Sequence, residues 1–132
     1  MQTDTQSAPV SRALVWTGWI MSVLPALLLL FGGLVNVLQL PFAAEGAVKM
    51  GYSESVILPL GIALLASTIL YLIPPTAGIG AILLTGYLGG AVDAHVRQGD
   101  GLFIVPVLFA AVLWVGLILR DARLRALLPL RK

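Results

Sequence analysis

The stretch 56-VILPLGIALLASTILYLIPPTAGIGAILLTGYLGGAV-92 decides the fold, because it contains no charged residue and has two adjacent prolines near its middle. Apolar segments covering residues 56–73 and 76–96 lie on either side of Pro74 and Pro75. A helix needs roughly 20 mostly apolar residues to cross a bilayer. Adjacent prolines do not continue a helix. The stretch therefore predicts two antiparallel transmembrane helices joined by a tight turn.

Two further apolar segments, residues 15–38 and 102–119, flank this pair. The 132-residue chain is 59% hydrophobic and 11% charged, whereas soluble domains have about 25% charged residues. Its mean hydropathy is +1.01. The sequence therefore predicts an all-α integral membrane protein. We expect a four-helix bundle that forms a single membrane domain over residues 1–132.

The connection between the first two spans is amphipathic rather than loop-like. In Pro41 to Gly51, Glu45 and Lys49 stand four residues apart, and Gly51 is a plausible helix stop. We expect a short helix lying on, or dipping into, the membrane surface at this outer end of the bundle.

Basic residues are distributed unevenly between the two membrane surfaces. With four spans, six of them fall on the side of the termini, against two on the other side, Lys49 and Arg97. The positive-inside rule therefore predicts a multi-pass protein with both termini in the cytoplasm. Topology and contact with anionic membrane lipids are sufficient to explain the basic tail, so no nucleic-acid partner is expected.

The numbers of cysteine and histidine residues limit the possible metal and cofactor sites. The chain has no cysteine and one histidine. It therefore offers no thiolate for an Fe–S or zinc centre and no histidine set for an internal haem. We expect no metal site and no cofactor held by the chain alone.

The third span carries small residues at a spacing of four: Ala81, Thr85, Gly89 and then Asp93. Small residues allow helices to approach closely in a membrane. This face is predicted to contact another helix, and the third span is expected at the centre of the bundle. Pro25 predicts a kink in the first span.

The candidate catalytic and ligand-binding residues lie at the outer end of the bundle. Proton chemistry would use Glu45, Asp93 and His95, and a ligand would meet Tyr52, Thr85, Tyr87 and Arg97. We expect the pocket between residues 41–51 and the outer end of the third span. The Pro74–Pro75 end is expected to offer little chemistry, with Tyr71 at the membrane interface.

Helix geometry constrains how these groups pair. Asp93 and Arg97 stand at i and i+4, so an ion pair is the simplest expectation. Asp93 and His95 lie roughly 200° apart around a helix and cannot form one dyad. His95 is instead expected to approach Glu45. A purely structural role stays open for each residue, since interfacial anchoring explains Tyr52 and a bond to its own backbone explains Thr85.

Several motifs resemble the DoxX-like family of small bacterial membrane proteins. They are GYSES at 51–55, LYLIPPT at 70–76, GAILLTGYLGG at 80–90, HVR at 95–97 and LRDARLRALLPLR at 119–131. The resemblance implies a four-helix fold in the bacterial inner membrane and an association with quinone-linked redox complexes. Its pattern includes Tyr52, Thr85, Tyr87, His95 and Arg97. Ser53, Pro75 and Asp93 depart from it.

Three functions are compatible with this sequence. The first is a membrane subunit that holds a quinone, or another lipophilic small molecule, together with a redox partner protein. The second is a stand-alone membrane isomerase or cyclase acting on a lipophilic substrate, which needs a proton donor and acceptor in an apolar pocket. The third is a non-catalytic scaffold. The sequence leaves both a monomer and a homo-oligomer open.

Overall fold

The fold is taken from a computed structural model that describes residues 3–127. Six α-helices follow one another within these residues: α1 (Thr3–Val37), α2 (Pro41–Lys49), α3 (Ile57–Leu72), α4 (Ala77–Gln98), α5 (Ile104–Arg120) and α6 (Ala122–Leu127). Short 3-10 turns at Glu54–Val56 and Pro74–Thr76 lead into α3 and α4. No strand occurs within the described residues, and the all-α class is confirmed. Arg131 and Lys132, which contribute to the predicted charge asymmetry, lie outside this range.

The long helices have the length and composition of membrane spans. Three segments, Arg12–Val37, Glu54–Leu72 and Pro74–Gln98, are long and apolar enough to cross a bilayer. The fourth helix, α5, is apolar but has only 17 residues, at the short end of the range of about 17–25 for a spanning helix. Many large apolar side chains on these helices face outward, as a lipid environment requires. The protein is therefore a multi-pass helical membrane bundle.

The four long helices form a ring in the order α1, α3, α4, α5. Helix α1 packs along α3 and α5, and α4 packs along the same two helices on the other side. The prediction that the third span lies at the centre is therefore wrong, since α4 sits diagonally across the bundle from α1. Buried side chains from all four long helices, among them Leu29, Leu64, Leu84 and Leu113, form the core. Helix α1 continues through Pro25 without interruption.

Glycines bring neighbouring helices close together at three places. A Cβ placed on Gly61 of α3 would lie 2.8 Å from the Asn36 Cβ of α1. A Cβ on Gly18 of α1 would lie 2.7 Å from the Gly116 carbonyl oxygen of α5. A Cβ on Gly80 of α4 would overlap the backbone at the end of α3. Small residues therefore permit these approaches, as expected for helices that pack in lipid.

The predicted small-residue face of α4 does not form one contact surface. Ala81 is buried in the core, and Thr85 bonds to Trp114 of α5. Gly89 is exposed, and a Cβ there would meet no atom within 4 Å. The expectation that Gly89 contacts another helix is wrong. A spacing of four residues advances roughly 400° around a helix, so such a face rotates away from its neighbour by about 40° at each step.

A buried polar cluster lies at the end of the bundle that holds Arg12 and the Pro74–Pro75 turn, called here the tail end. Tyr71 is fully buried, and its Oη lies 2.9 Å from Ser22 Oγ and also bonds to the Leu113 carbonyl oxygen. The Arg120 guanidinium packs against the Tyr71 ring. Tyr71 therefore packs inside the bundle, and the expectation that the tail end offers little chemistry is wrong.

Candidate functional site

A partly open cavity of about 380 Å³ lies at the opposite end of the bundle, called here the loop end. It is enclosed by α2, the last turn of α1, the start of α3 and the loop-end half of α4. This is the position predicted from the sequence for the pocket. Its lining residues are Asn36, Phe42, Ala43, Gly46, Ala47, Met50, Tyr52, Leu60, Gly86, Tyr87, Gly90, Ala91 and Ala94. A volume of about 300–1,000 Å³ is usual for small-molecule sites.

Small residues of α4 create the space in this cavity. Gly86 and Gly90 stand one turn apart on the face that carries Tyr87 and Ala91. A Cβ added at either glycine would meet no atom within 4 Å. Their lack of a side chain is therefore not required for helix packing, and it leaves this volume open.

Helix α2 forms the roof of the cavity. It begins with Pro41 at its first turn, which suits the fixed φ of proline. Gln39 before it and Gly51 after it have φ values of 55° and 98°, so the chain turns sharply at both ends. The helix buries no residue completely. Its cavity face, from Phe42 to Met50, is apolar.

Three polar side chains face this apolar space: Asn36, Tyr52 and Tyr87. The lining contains no Asp, Glu, Lys, Arg or His. Within residues 12–127, no side-chain hydrogen bond links any of the three to another protein group. All three residues are partly exposed, so their polar groups are accessible to a molecule that enters the cavity. The cavity therefore offers two hydroxyls and one amide to a bound molecule.

Tyr52 and Tyr87 are the two predicted site residues that line the cavity. Tyr52 follows α2 directly, and Tyr87 lies on α4 and is half-buried. Asn36, from the end of α1, was not among the predicted ligand-binding residues. Its position at the end of an apolar span marks an interfacial polar group, but only the fold brings it beside the two tyrosines.

His95 pairs with a different carboxylate from the one expected. Its Nδ1 lies 2.9 Å from Asp100 Oδ2, in the turn after α4. Glu45 lies on α2 beside a separate shallow depression that it shares with Lys49 and Glu54. The expectation that Glu45 and His95 approach one another is therefore wrong, because the chain reverses at Gly99 and carries Asp100 back to the histidine.

Asp100 is held by two hydrogen bonds at this turn. The His95 imidazole bonds to one carboxylate oxygen, and the Leu102 backbone N–H donates to the other at 2.9 Å. These bonds favour the charged carboxylate and hold the pKa of Asp100 below its usual range. The turn explains the geometry, since Asp side chains commonly accept a bond from the backbone two residues ahead.

The other predicted site residues make local contacts outside the cavity. Asp93 and Arg97 form the expected ion pair, with Oδ2 and Nε 3.0 Å apart, on the surface of α4. Thr85 Oγ1 donates to the Ala81 carbonyl oxygen at 2.7 Å and accepts from Trp114 Nε1 at 2.7 Å. The catalytic roles of Glu45, Asp93 and His95, and the binding roles of Thr85 and Arg97, stay predictions.

No three His, Asp or Glu side chains come together as metal ligands within the described residues.

Fold and cavity together define a multi-pass α-helical membrane protein with an uncharged, mainly apolar pocket near one membrane surface. The chain belongs to the DoxX-like family, whose sequence model matches residues 20–116. That match runs from α1 into α5 and confirms the resemblance seen in the motifs. No curated protein and no solved structure matched the chain.

Proposed function

We propose that this protein is a membrane subunit that binds a lipophilic small molecule of the quinone class at the loop-end cavity and works with a redox partner protein. One observation carries the proposal: an uncharged, mainly apolar cavity of about 380 Å³ holds three polar side chains that lack partners among the described residues. Small-molecule sites typically combine an apolar lining with a few such polar groups.

The chemistry of the three polar groups suits a quinone head. A quinone presents carbonyl oxygens, which accept hydrogen bonds, on a flat ring with an apolar tail. The hydroxyls of Tyr52 and Tyr87 and the amide of Asn36 can donate such bonds. Gly86 and Gly90 leave flat space beside them. The cavity is only partly closed, so an apolar tail can extend from it into the lipid.

The same lining favours binding over stand-alone acid–base catalysis. An isomerase or cyclase needs a proton donor and an acceptor in contact with its substrate. The ionisable candidates, Glu45, Asp93 and His95, are not among the residues that line the cavity. A purely structural role does not explain Gly86 and Gly90, because they leave a space open and do not bring two helices into contact.

We place the protein in the inner membrane, with both termini in the cytoplasm. The basis is the positive-inside rule, applied to a bundle whose termini share one end. In this orientation the cavity lies in the outer leaflet. Electrons would reach a bound quinone through the partner protein, which supplies the redox centre. A homo-oligomer is compatible with this arrangement but is not needed for it.

A binding assay with a short-chain benzoquinone tests the proposal. Purified protein in nanodiscs is titrated, and quenching of tryptophan fluorescence gives the dissociation constant. We expect Gly90→Leu to weaken binding at least tenfold by filling the cavity. We expect Tyr87→Phe to weaken it about tenfold, because a hydrogen bond to the ring carbonyl is lost.

Gly89→Leu is the matched control for Gly90→Leu. The two glycines are adjacent on α4, and neither meets an atom within 4 Å of an added Cβ, but only Gly90 lines the cavity. Gly89→Leu should therefore bind like the wild type. An alkylbenzene of equal tail length controls for partitioning into lipid. Equal affinity of both leucine variants for the quinone would refute the site.

A further inference from the structure

Arg120, the last residue of α5, is held in a fixed position at the tail end. Its guanidinium carbon lies 4.2 Å from the centre of the Trp19 ring and 4.8 Å from the centre of the Tyr71 ring. Its Nη2 donates to the Tyr71 carbonyl oxygen at 2.6 Å. Two aromatic rings and one carbonyl therefore fix the plane of the guanidinium.

Arg120 forms no ion pair with a carboxylate within the described residues. No acidic side chain there comes within 4.0 Å of it, and its Nε is buried without a hydrogen-bonding partner. The adjacent Asp121 is already engaged, since its Oδ1 accepts from the backbone N–H groups of Arg123 and Leu124. Asp121 therefore lies next to Arg120 without forming an ion pair with it, and the Arg120 charge can attract a further anion.

A depression of about 280 Å³ opens beside this cation. Trp19, Pro74 and Leu117 form its apolar side, and its charged lining consists of Arg120, Arg123 and the Asp121 carboxylate, a net charge of +1. Asp121 Oδ1 lies 3.8 Å from Arg123 Nε. The Arg123 side chain is 79% exposed. The apolar part of α5 ends at Arg120, so the depression lies where hydrocarbon gives way to lipid headgroups.

The remaining arginines of this end have different surroundings. Arg125 donates through Nη1 to the carbonyl oxygens of Ile118 and Leu119, where it satisfies the end of α5. Arg12 is exposed on α1 and does not line the depression. Among these four arginines, Arg120 and Arg123 are thus the two that line the depression.

We infer that the depression at Arg120 and Arg123 binds the phosphate of an anionic phospholipid headgroup. Arginine presents parallel N–H donors that match phosphate oxygens. The apolar side of Trp19, Pro74 and Leu117 lies against the first carbons of the lipid chains. This site is at the opposite end of the bundle from the loop-end cavity and does not depend on the function proposed for that cavity.

Native mass spectrometry of delipidated protein, titrated with phosphatidylglycerol or phosphatidylcholine, tests the inference. We expect the wild type to retain one phosphatidylglycerol molecule more tightly than phosphatidylcholine. Arg120→Lys keeps the charge but loses the planar donor pair and should weaken retention about tenfold. Arg123→Gln, at an exposed position that does not threaten folding, should weaken it about two- to fivefold.

Arg12→Gln is the matched control, because it removes an equal charge from the same membrane surface outside the depression. It should retain phosphatidylglycerol like the wild type. Equal losses in Arg12→Gln and Arg123→Gln would overturn the inference in favour of general surface charge. Inorganic phosphate and glycerol phosphate are added as competitors, and displacement of the lipid at equal concentration would overturn the assignment to a lipid headgroup.

Discussion

Gly80→Ala should destabilise the bundle, whereas Gly89→Ala in the same helix should not. A Cβ on Gly80 would lie 2.5 Å from the Tyr71 Cα and 2.7 Å from the Leu70 carbonyl carbon, both of them backbone atoms. Separations of about 3.5–4.0 Å are normal for carbon contacts. The α3–α4 turn would therefore have to move by roughly 1 Å, and overpacking of this kind costs about 1–3 kcal/mol.

The control isolates this steric effect from helix propensity. Alanine is more favourable than glycine in a helix by about 0.8–1 kcal/mol, and both variants gain this term. Gly89 has no atom within 4 Å of its added Cβ, so only the gain applies there. We therefore expect Gly80→Ala to be less stable than Gly89→Ala by about 1–3 kcal/mol.

Unfolding in mixed micelles of dodecyl maltoside and sodium dodecyl sulfate, followed by circular dichroism, measures the difference. The midpoint for Gly80→Ala should fall at a lower fraction of dodecyl sulfate than the midpoint for Gly89→Ala. Coincident midpoints would refute the packing of α4 against the Tyr71 backbone. Insertion of each variant is checked first, by its amount in the membrane fraction.

Four further variants test the described contacts. Tyr71→Phe should lower the free energy of unfolding by about 1 kcal/mol in the same micelle assay, because the hydroxyl bonds that join three helices are lost. Trp114→Phe should cost about as much through its lost bond to Thr85, whereas Thr85→Val should leave quinone affinity in nanodiscs unchanged. The bond from His95 lowers the pKa of Asp100 in the folded protein. The ionised Asp100 carboxylate therefore stabilises the fold above about pH 4, and this stabilisation is lost as the pH falls further. Asp100→Asn should therefore flatten the dependence of the melting temperature on pH between about 3 and 5.

The spans and their connection were predictable because hydropathy and proline act locally. An apolar run of about 20 residues can satisfy its backbone in lipid only as a helix or within a closed barrel. Pro74 and Pro75 separate two helices, and in the structure they belong to the 3-10 turn Pro74–Thr76 between α3 and α4. The cavity lies at the end of the bundle where polar and ionisable residues collect in the sequence, although most of these residues do not line it.

Contacts between distant segments could not be read from the sequence. The partners of Tyr71 stand 49 and 42 residues away in the chain, at Ser22 and Leu113, so its burial depends on the order of helices in the ring. A tyrosine beside a proline turn is equally typical of a membrane interface. The His95 partner was missed for a different reason, because Asp100 approaches only through the left-handed conformation of Gly99.

The glycines of α4 separate into two groups that sequence spacing alone does not distinguish. Gly80 is required by packing, since its added Cβ would overlap a neighbouring backbone. Gly86 and Gly90 are not, since alanine would fit at both positions and would favour the helix by about 0.8–1 kcal/mol each. Packing therefore gives no reason for glycine at either position, and what the two residues share is the open volume beside Tyr87. A bound molecule that fills this volume would make van der Waals contacts with α4 that are absent in the free protein. For this reason the loop-end cavity, rather than the charged residues around it, is the feature of this chain with the strongest claim to function.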